Sequence, residues 1–162
     1  MICGRQVQRQ ELSSSMRGFS LIELLIVVAI ILIIAAIAIP NLLHSKMAAN
    51  ESAAASSIHA INTAEIAYST ANPAIGFSST LTALGPAPGA GYIDSSLAGG
   101  TKSGYVFTYV PDTSSTPSTA YTLNVDPLTR GVTGRRSFWS SESNVTRYNG
   151  AGPASVNDNV IE

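Results

Sequence analysis

One carboxylate, Glu23, lies within the most apolar stretch of the sequence, and its position calls for a chemical explanation. Residues 24–39 contain no polar side chain, a run of 16 residues. As an α-helix this run is about 24 Å long, and with residues 19–22 it approaches the roughly 30 Å of a bilayer's hydrocarbon core. A charge at membrane depth costs at least about 2.5–3.5 kcal/mol on insertion scales. Glu23 is therefore a candidate functional residue.

Little else in the sequence has the residue types and spacing that catalysis or metal binding needs. His44 and His59 are about 22 Å apart along a helix, so they cannot share a metal within one chain; we expect one to face solvent and the other to pack. With these two histidines, and Cys3 as the single cysteine, a serine or cysteine triad has little to be built from. The acidic candidates for a calcium site lack Asp-x-Asp-x-Asp spacing; they are Asp112, Asp126, Glu142 and Asp158. We predict no catalytic residue, no metal site and no cofactor.

The residues around Glu23 form a motif, RGFSLIEL at positions 17–24. It resembles the processing site of type IV pilins and of the pseudopilins of type II secretion. In that family a prepilin peptidase cuts after the glycine on the cytoplasmic side and methylates the new amino terminus. The resemblance implies cleavage after Gly18, methylation of Phe19, and a role in assembly for Phe19 and Glu23. Pro40 falls where the family often has a helix-bending proline.

Two ordinary explanations of the apolar stretch stay open. The first is a single-pass anchor in which Glu23 reaches the membrane edge. The second is a secretory signal, because Ala36-Ile37-Ala38 is an A-x-A site after an apolar core. A secretory signal leaves Glu23 unexplained and puts Pro40 two residues beyond the cut. We therefore favour the filament interpretation.

Charges before the apolar stretch predict its orientation. The leader carries three basic residues and one acidic residue, Arg5, Arg9, Arg17 and Glu11. By the positive-inside rule the amino terminus stays cytoplasmic and the chain after Pro40 is exported. Without residues 1–18 the chain keeps six basic and nine acidic side chains, a net charge of −3, and no cysteine. The absence of a basic block indicates no nucleic-acid partner. The sequence does not distinguish a start at Met1 from one at Met16.

Beyond Pro40 the sequence predicts that the helix continues to Ala71. Residues 41–71 are rich in alanine and contain no glycine or proline, and Asn72-Pro73 ends the helix. Pro40 removes one backbone donor and is expected to kink it. Apolar or small residues at helical spacing mark one face: Met47, Ala54, Ile58, Ile61 and Tyr68. Four residues supply polar positions: Lys46, Glu51, Asn62 and Glu65.

Residues 73–103 are predicted to form a connecting loop with two short helical turns. One turn spans 79–84 and is closed by Gly85, and the other is capped by Asp94 and ends at Gly99. Four residues are expected to anchor the loop to the core: Leu81, Leu84, Tyr92 and Ile93.

Alternating residues then predict an antiparallel meander, with strands at 105–110, 121–125, about 135–139 and 145–148. Phe138, Trp139 and Tyr148 are assigned to sheet packing, with an exposed binding patch as the alternative. Asn144 and Thr146 fit a glycosylation sequon, although a turn-forming asparagine is the preferred explanation.

Together these features predict an α+β fold, in which a long amino-terminal helix packs against a small antiparallel sheet of three to four strands. The helix has a membrane half and an amphipathic half. The predicted division is a leader at 1–18, a transmembrane or filament-core helix at 19–39 and the amphipathic half at 40–72. A connecting loop at 73–103, the sheet at 104–148 and a flexible tail at 149–162 follow.

The resemblance implies a structural subunit of a type IV pilus-like filament rather than an enzyme. Its partners would be copies of itself, prepilin peptidase, an inner-membrane assembly platform and, for the monomer, the membrane. The monomer would cross the inner membrane once, with its C-terminal domain exported, before joining an extracellular pilus or a periplasmic pseudopilus. One alternative is a pseudopilin or minor pilin of a type II secretion or DNA-uptake system. The other is a membrane-anchored binding protein that never polymerises.

Overall fold

The computed structural model describes residues 18–161, which divide into two compact units at the Ile39–Pro40 boundary. The predictions on Met1, Met16, Cys3 and the rest of the leader before Gly18 lie outside the described residues. A single helix, α1 (Leu21–Ala71), begins in the first unit and continues into the second. Pro40 lies inside this helix without ending it, and the kink expected there stays a prediction.

In the first unit, α1 is apolar on all sides. Its most apolar 18-residue window has a mean hydropathy of 3.3 and none of that window is buried. Within the described part of the chain, this is the one helix long and apolar enough to cross a membrane. A helix that is hydrophobic all round needs an apolar environment on every side.

In the second unit, α1 has the buried face that its spacing predicts. Met47, Ala54, Ile58 and Ile61 are buried, and Tyr68 packs against the core while partly exposed. The core also takes residues from the loop and the sheet, including Leu84, Leu97, Tyr105, Phe107, Leu123, Val125 and Phe138. One layer of helix therefore covers one face of the sheet.

The connecting loop contains the two predicted turns, α2 (Leu81–Leu84) and α3 (Ser95–Ala98). The Asp94 carboxylate caps α3 by accepting a hydrogen bond from Leu97 N at 3.0 Å. Of the predicted anchors, Leu81, Leu84 and Ile93 are buried, but Tyr92 is 43% exposed. The prediction for Tyr92 is wrong because Ile93 takes the inward position and its neighbour in this turn faces solvent.

The sheet has six antiparallel strands in sequence order, which confirms the α+β class and adds two strands to the predicted four. The strands are β1 (Thr101–Lys102), β2 (Tyr105–Pro111), β3 (Tyr121–Pro127), β4 (Ser137–Ser141), β5 (Arg147–Asn149) and β6 (Asn159–Val160). The additional strands, β1 and β6, have two residues each, too few for an alternating pattern to indicate them. β1 lies in the predicted loop, and β6 lies in the predicted flexible tail, where Ala154 is also buried.

Candidate functional site

The motif residues lie at the exposed start of α1. Gly18 and Phe19 precede the helix, Phe19 is 78% exposed, and no atom would come within 4 Å of a Cβ added to Gly18. The peptide bond between them is therefore in an open, non-helical segment. Glu23 lies in the first helical turn, so the structure brings Gly18, Phe19 and Glu23 together at one helix end. Pro40 is far along the same helix.

Glu23 has a local partner that the sequence predictions missed. Its Oε2 accepts a hydrogen bond from Ser20 N at 2.9 Å. The first amides of a helix lack intrahelical acceptors, and in a capping box the residue three positions into the helix bonds back to the N-cap amide. The Ser20-x-x-Glu23 spacing is itself the signal for this arrangement. Glu23 therefore stabilises the start of its own helix, whatever else it does.

In the second unit, Glu51 connects α1 to the segment that leads into β4. Glu51 Oε1 accepts hydrogen bonds from Arg135 N at 2.8 Å and Arg136 N at 3.2 Å, and Oε2 accepts one from Arg136 Nε at 2.7 Å. The Arg136 guanidinium also lies over the rings of Phe138 and Tyr148. Burial acts to raise the pKa of Glu51, but the hydrogen bonds from Arg135 and Arg136 outweigh it and lower the pKa below its ordinary value of 4.5.

Asn62 forms a second polar connection, deeper in the core. Its Oδ1 accepts a hydrogen bond from the Tyr121 hydroxyl, and its Nδ2 donates one to Ser140 Oγ, both at 2.9 Å. Burial raises the pKa of Tyr121, with the Glu65 charge acting in the same direction. The Tyr121 hydroxyl therefore stays a donor at neutral pH, and one amide fixes α1 to both β3 and β4.

Glu65 forms the third connection. Its side chain is fully buried and accepts hydrogen bonds from Ser78 N at 2.9 Å and Ser78 Oγ at 2.5 Å. The Tyr109 hydroxyl donates to Ser78 O at 2.8 Å, so this contact joins α1, the loop and β2. Three of the four polar positions of α1 thus face the core, and the fourth, Lys46, is exposed.

The remaining candidates do not gather into a catalytic or metal site. His44 and His59 are both exposed, so the expectation that one packs is wrong. Among residues 18–161, no group of three His, Cys, Asp or Glu side chains is placed to hold a metal ion. Asn144 has a φ of 59°, a left-handed conformation that asparagine tolerates in turns. Thr146 of the sequon is buried.

Comparison with known proteins places the similarity at the amino-terminal end. Residues 13–39 match the family model of the prokaryotic N-terminal methylation motif. The type IV major pilin protein PilA of Myxococcus xanthus is 50% identical over 52 residues, which are 32% of this chain and 24% of that protein. The type IV wide pilus major component PilA4 of Thermus thermophilus is 63% identical over 35 residues, 22% of this chain and 27% of that protein.

The matched segment thus spans about a quarter of the length of each relative. No solved structure matches the chain significantly. The matched residues contain Gly18, Phe19 and Glu23 within the methylation motif. The resemblance to type IV pilins is thereby confirmed, and residues 13–39 combine the amino-terminal methylation motif with the apolar stretch of a pilin-type subunit.

Proposed function

We propose that this chain is the structural subunit of a type IV pilus-like filament. Prepilin peptidase cleaves it after Gly18 and methylates Phe19, and subunits assemble through the apolar half of α1. The observation that carries the proposal is that this half combines the methylation motif with an apolar surface exposed on every side. Before assembly the helix crosses the inner membrane, with the second unit exported, and an assembly platform moves the subunit into the filament.

The exposed surface explains why the helix needs either lipid or other subunits. Fourteen Leu, Ile and Val side chains between positions 21 and 39 are exposed. Burying one such side chain contributes about 1.5–3 kcal/mol, so the helix is not stable alone in water. Lipid tails are as apolar as leucine, however, so the hydrophobic effect contributes little free energy to the transfer of the helix from the membrane into the filament. A different interaction must favour assembly.

Glu23 is our candidate for that interaction. In a filament its carboxylate would pair with the positively charged, methylated amino terminus at Phe19 of a neighbouring subunit. Away from water such a pair interacts more strongly than at a protein surface, and it would also set the axial register between subunits. The contact with Ser20 N uses Oε2, and a carboxylate has further acceptor sites for a second partner.

Two substitutions separate assembly from helix capping. Glu23→Gln keeps the size and an oxygen acceptor for Ser20 N but removes the charge, whereas Glu23→Ala removes both. We expect both variants to reach the membrane and to form few or no filaments, as counted by electron microscopy of sheared surface material. If Gln assembled normally and Ala did not, capping would explain the residue. Wild-type filament levels for both variants would refute the assembly role.

A pseudopilin or minor pilin is the second candidate, because the resemblance at the motif of residues 17–24 extends to both kinds of subunit and the family model matches residues 13–39. The same processing and the same role for Glu23 would then serve a short periplasmic assembly. Long surface filaments containing this chain as their main subunit favour the pilus. Secretion or DNA uptake that fails without the chain, in cells with normal surface filaments, favours the alternative.

A further inference from the structure

An open groove lies at one end of the sheet. Its volume is about 530 Å³, within the range of roughly 300–1,000 Å³ that small-molecule sites occupy. Trp139 lines it from β4. Phe138, the preceding residue, packs in the core, and because successive strand residues point to opposite faces, Trp139 is directed away from that core. The predicted aromatic cluster is therefore divided between the two faces of the sheet.

Arg147 supplies the groove with a hydrogen-bond donor. It lies directly across from Trp139 in the β4–β5 register and lines the same groove. Its Nη1 donates to Asp158 O at 2.8 Å, which fixes the guanidinium. Its Nε is buried and has no hydrogen-bond partner among the described residues. A ligand cannot reach the buried Nε, but a guanidinium has four further N–H donors on its two terminal nitrogens. Because Arg147 lines the groove, this side chain can supply a donor besides the one bonded to Asp158 O.

Two carboxylates, Asp112 and Glu142, also line the groove and are acceptors. Ser114 donates its backbone N and its Oγ to Asp112, each at 2.9 Å, and these bonds lower the pKa of Asp112. Asp112 is therefore an ionised acceptor at neutral pH, and Glu142 is exposed. Two carboxylates against one guanidinium disfavour an anionic ligand such as a phosphate or a nucleic acid.

We propose that this groove binds a neutral carbohydrate. The flat C–H face of a pyranose ring packs on an indole, and its hydroxyl groups both donate and accept hydrogen bonds. Its hydroxyl groups can donate to Asp112 or Glu142 and accept from the Arg147 guanidinium, and Trp139 supplies the apolar platform. A purely apolar ligand would leave these charged groups desolvated without partners.

Trp139 is the chain's only tryptophan, so intrinsic fluorescence reports on this groove directly. The full chain in detergent micelles would be titrated with neutral oligosaccharides of glucose, mannose, galactose and N-acetylglucosamine. We expect a saturable change in emission with at least one of them. The combined variant Asp112→Asn with Glu142→Gln should weaken that binding about tenfold. Thr63→Ala, at an exposed position of α1, is the control and should leave it unchanged.

Trp139→Phe removes the fluorescence signal, so its binding is measured by retention on a column that carries the sugar bound by the wild type. Circular dichroism checks that each variant is folded. Retention should fall about tenfold or more for a folded Trp139→Phe. No emission change with any sugar, or equal binding by the carboxylate variant, would overturn the proposal. A response to a proline-rich peptide and to none of the sugars would also overturn it. The measurement uses solubilised monomer, so its outcome does not depend on filament formation.

Discussion

Replacing Glu51 by alanine should markedly destabilise the second unit. The change removes the acceptor of two backbone amides and one guanidinium, at 2.8, 3.2 and 2.7 Å. Hydrogen bonds to a charged group contribute about 1.5–3 kcal/mol each when buried. The Arg136 side chain is 43% exposed, so water can solvate its guanidinium and its ion pair contributes at most about 1 kcal/mol. The two amide bonds alone therefore give a loss of at least about 3 kcal/mol.

The loss is measurable as a melting shift. For a domain of about 120 residues the unfolding entropy is roughly 0.25 kcal/mol/K, so 3 kcal/mol lowers Tm by about 12 °C. Thermal and urea unfolding of a truncated chain that begins at Ser45, followed by circular dichroism, would measure it. Glu51→Gln retains an acceptor for the amides and should lose about half as much. Ser56→Ala, at an exposed position of the same helix, is the control and should change stability by less than about 0.5 kcal/mol. A Tm shift below about 3 °C for Glu51→Ala would refute this reasoning.

The pH dependence follows from the same contact. Because the folded-state pKa of Glu51 lies below its ordinary value of 4.5, its contribution to stability is complete above about pH 4.5 and is lost as the pH falls through the lowered value. The wild type should therefore lose more stability than Glu51→Gln as the pH falls below about 4.5. Urea unfolding of both proteins at a series of pH values checks this, and parallel curves would contradict it.

Three further outcomes test the fold. The truncated chain that begins at Ser45 should be soluble and mostly monomeric. It contains no cysteine, so dithiothreitol should not change its urea unfolding, and a loss of stability in reductant would contradict this. Tyr121→Phe removes the donor to Asn62 Oδ1 and should cost about 1–3 kcal/mol by leaving a buried acceptor unpaired, measured by the same unfolding; no change would mean that the hydrogen bond is not needed. Gly134→Ala would put its Cβ 2.0 Å from the Tyr105 hydroxyl oxygen. The overpacking should cost roughly 1–3 kcal/mol and lower Tm by about 4–12 °C, and an unchanged Tm would show that Tyr105 moves aside without loss.

The parts of the fold that are specified by local sequence patterns were predictable. The apolar run, the helical spacing of Ile58 and Ile61, and the Asp94 cap are local patterns, and each appears where expected. The burial of Glu51 and Glu65 was not predictable, because no local sequence pattern indicates their hydrogen-bond partners. Glu51 bonds to residues more than 80 positions away, and Glu65 bonds to a serine in an irregular loop.

The candidate sites also differ in whether a local sequence pattern indicates them. Gly18, Phe19 and Glu23 are adjacent in sequence, so a motif suffices to find them. The groove at Trp139 takes residues from four strands, β2 to β5, and from nearby loops. No local pattern indicates that Arg147 lies across from Trp139. The Ser20-x-x-Glu23 capping contact was available from the sequence and shows that a motif residue can have a structural role alongside a functional one.

The most direct test of the filament proposal is the intact mass of this chain in filaments sheared from the cell surface. We predict a polypeptide that begins at Phe19 and carries one additional methyl group, since the motif at residues 17–24 places the cut after Gly18. A chain that begins at Ile39, after the Ala36-Ile37-Ala38 site, or one that retains its leader in the assembled filament, would contradict the proposal.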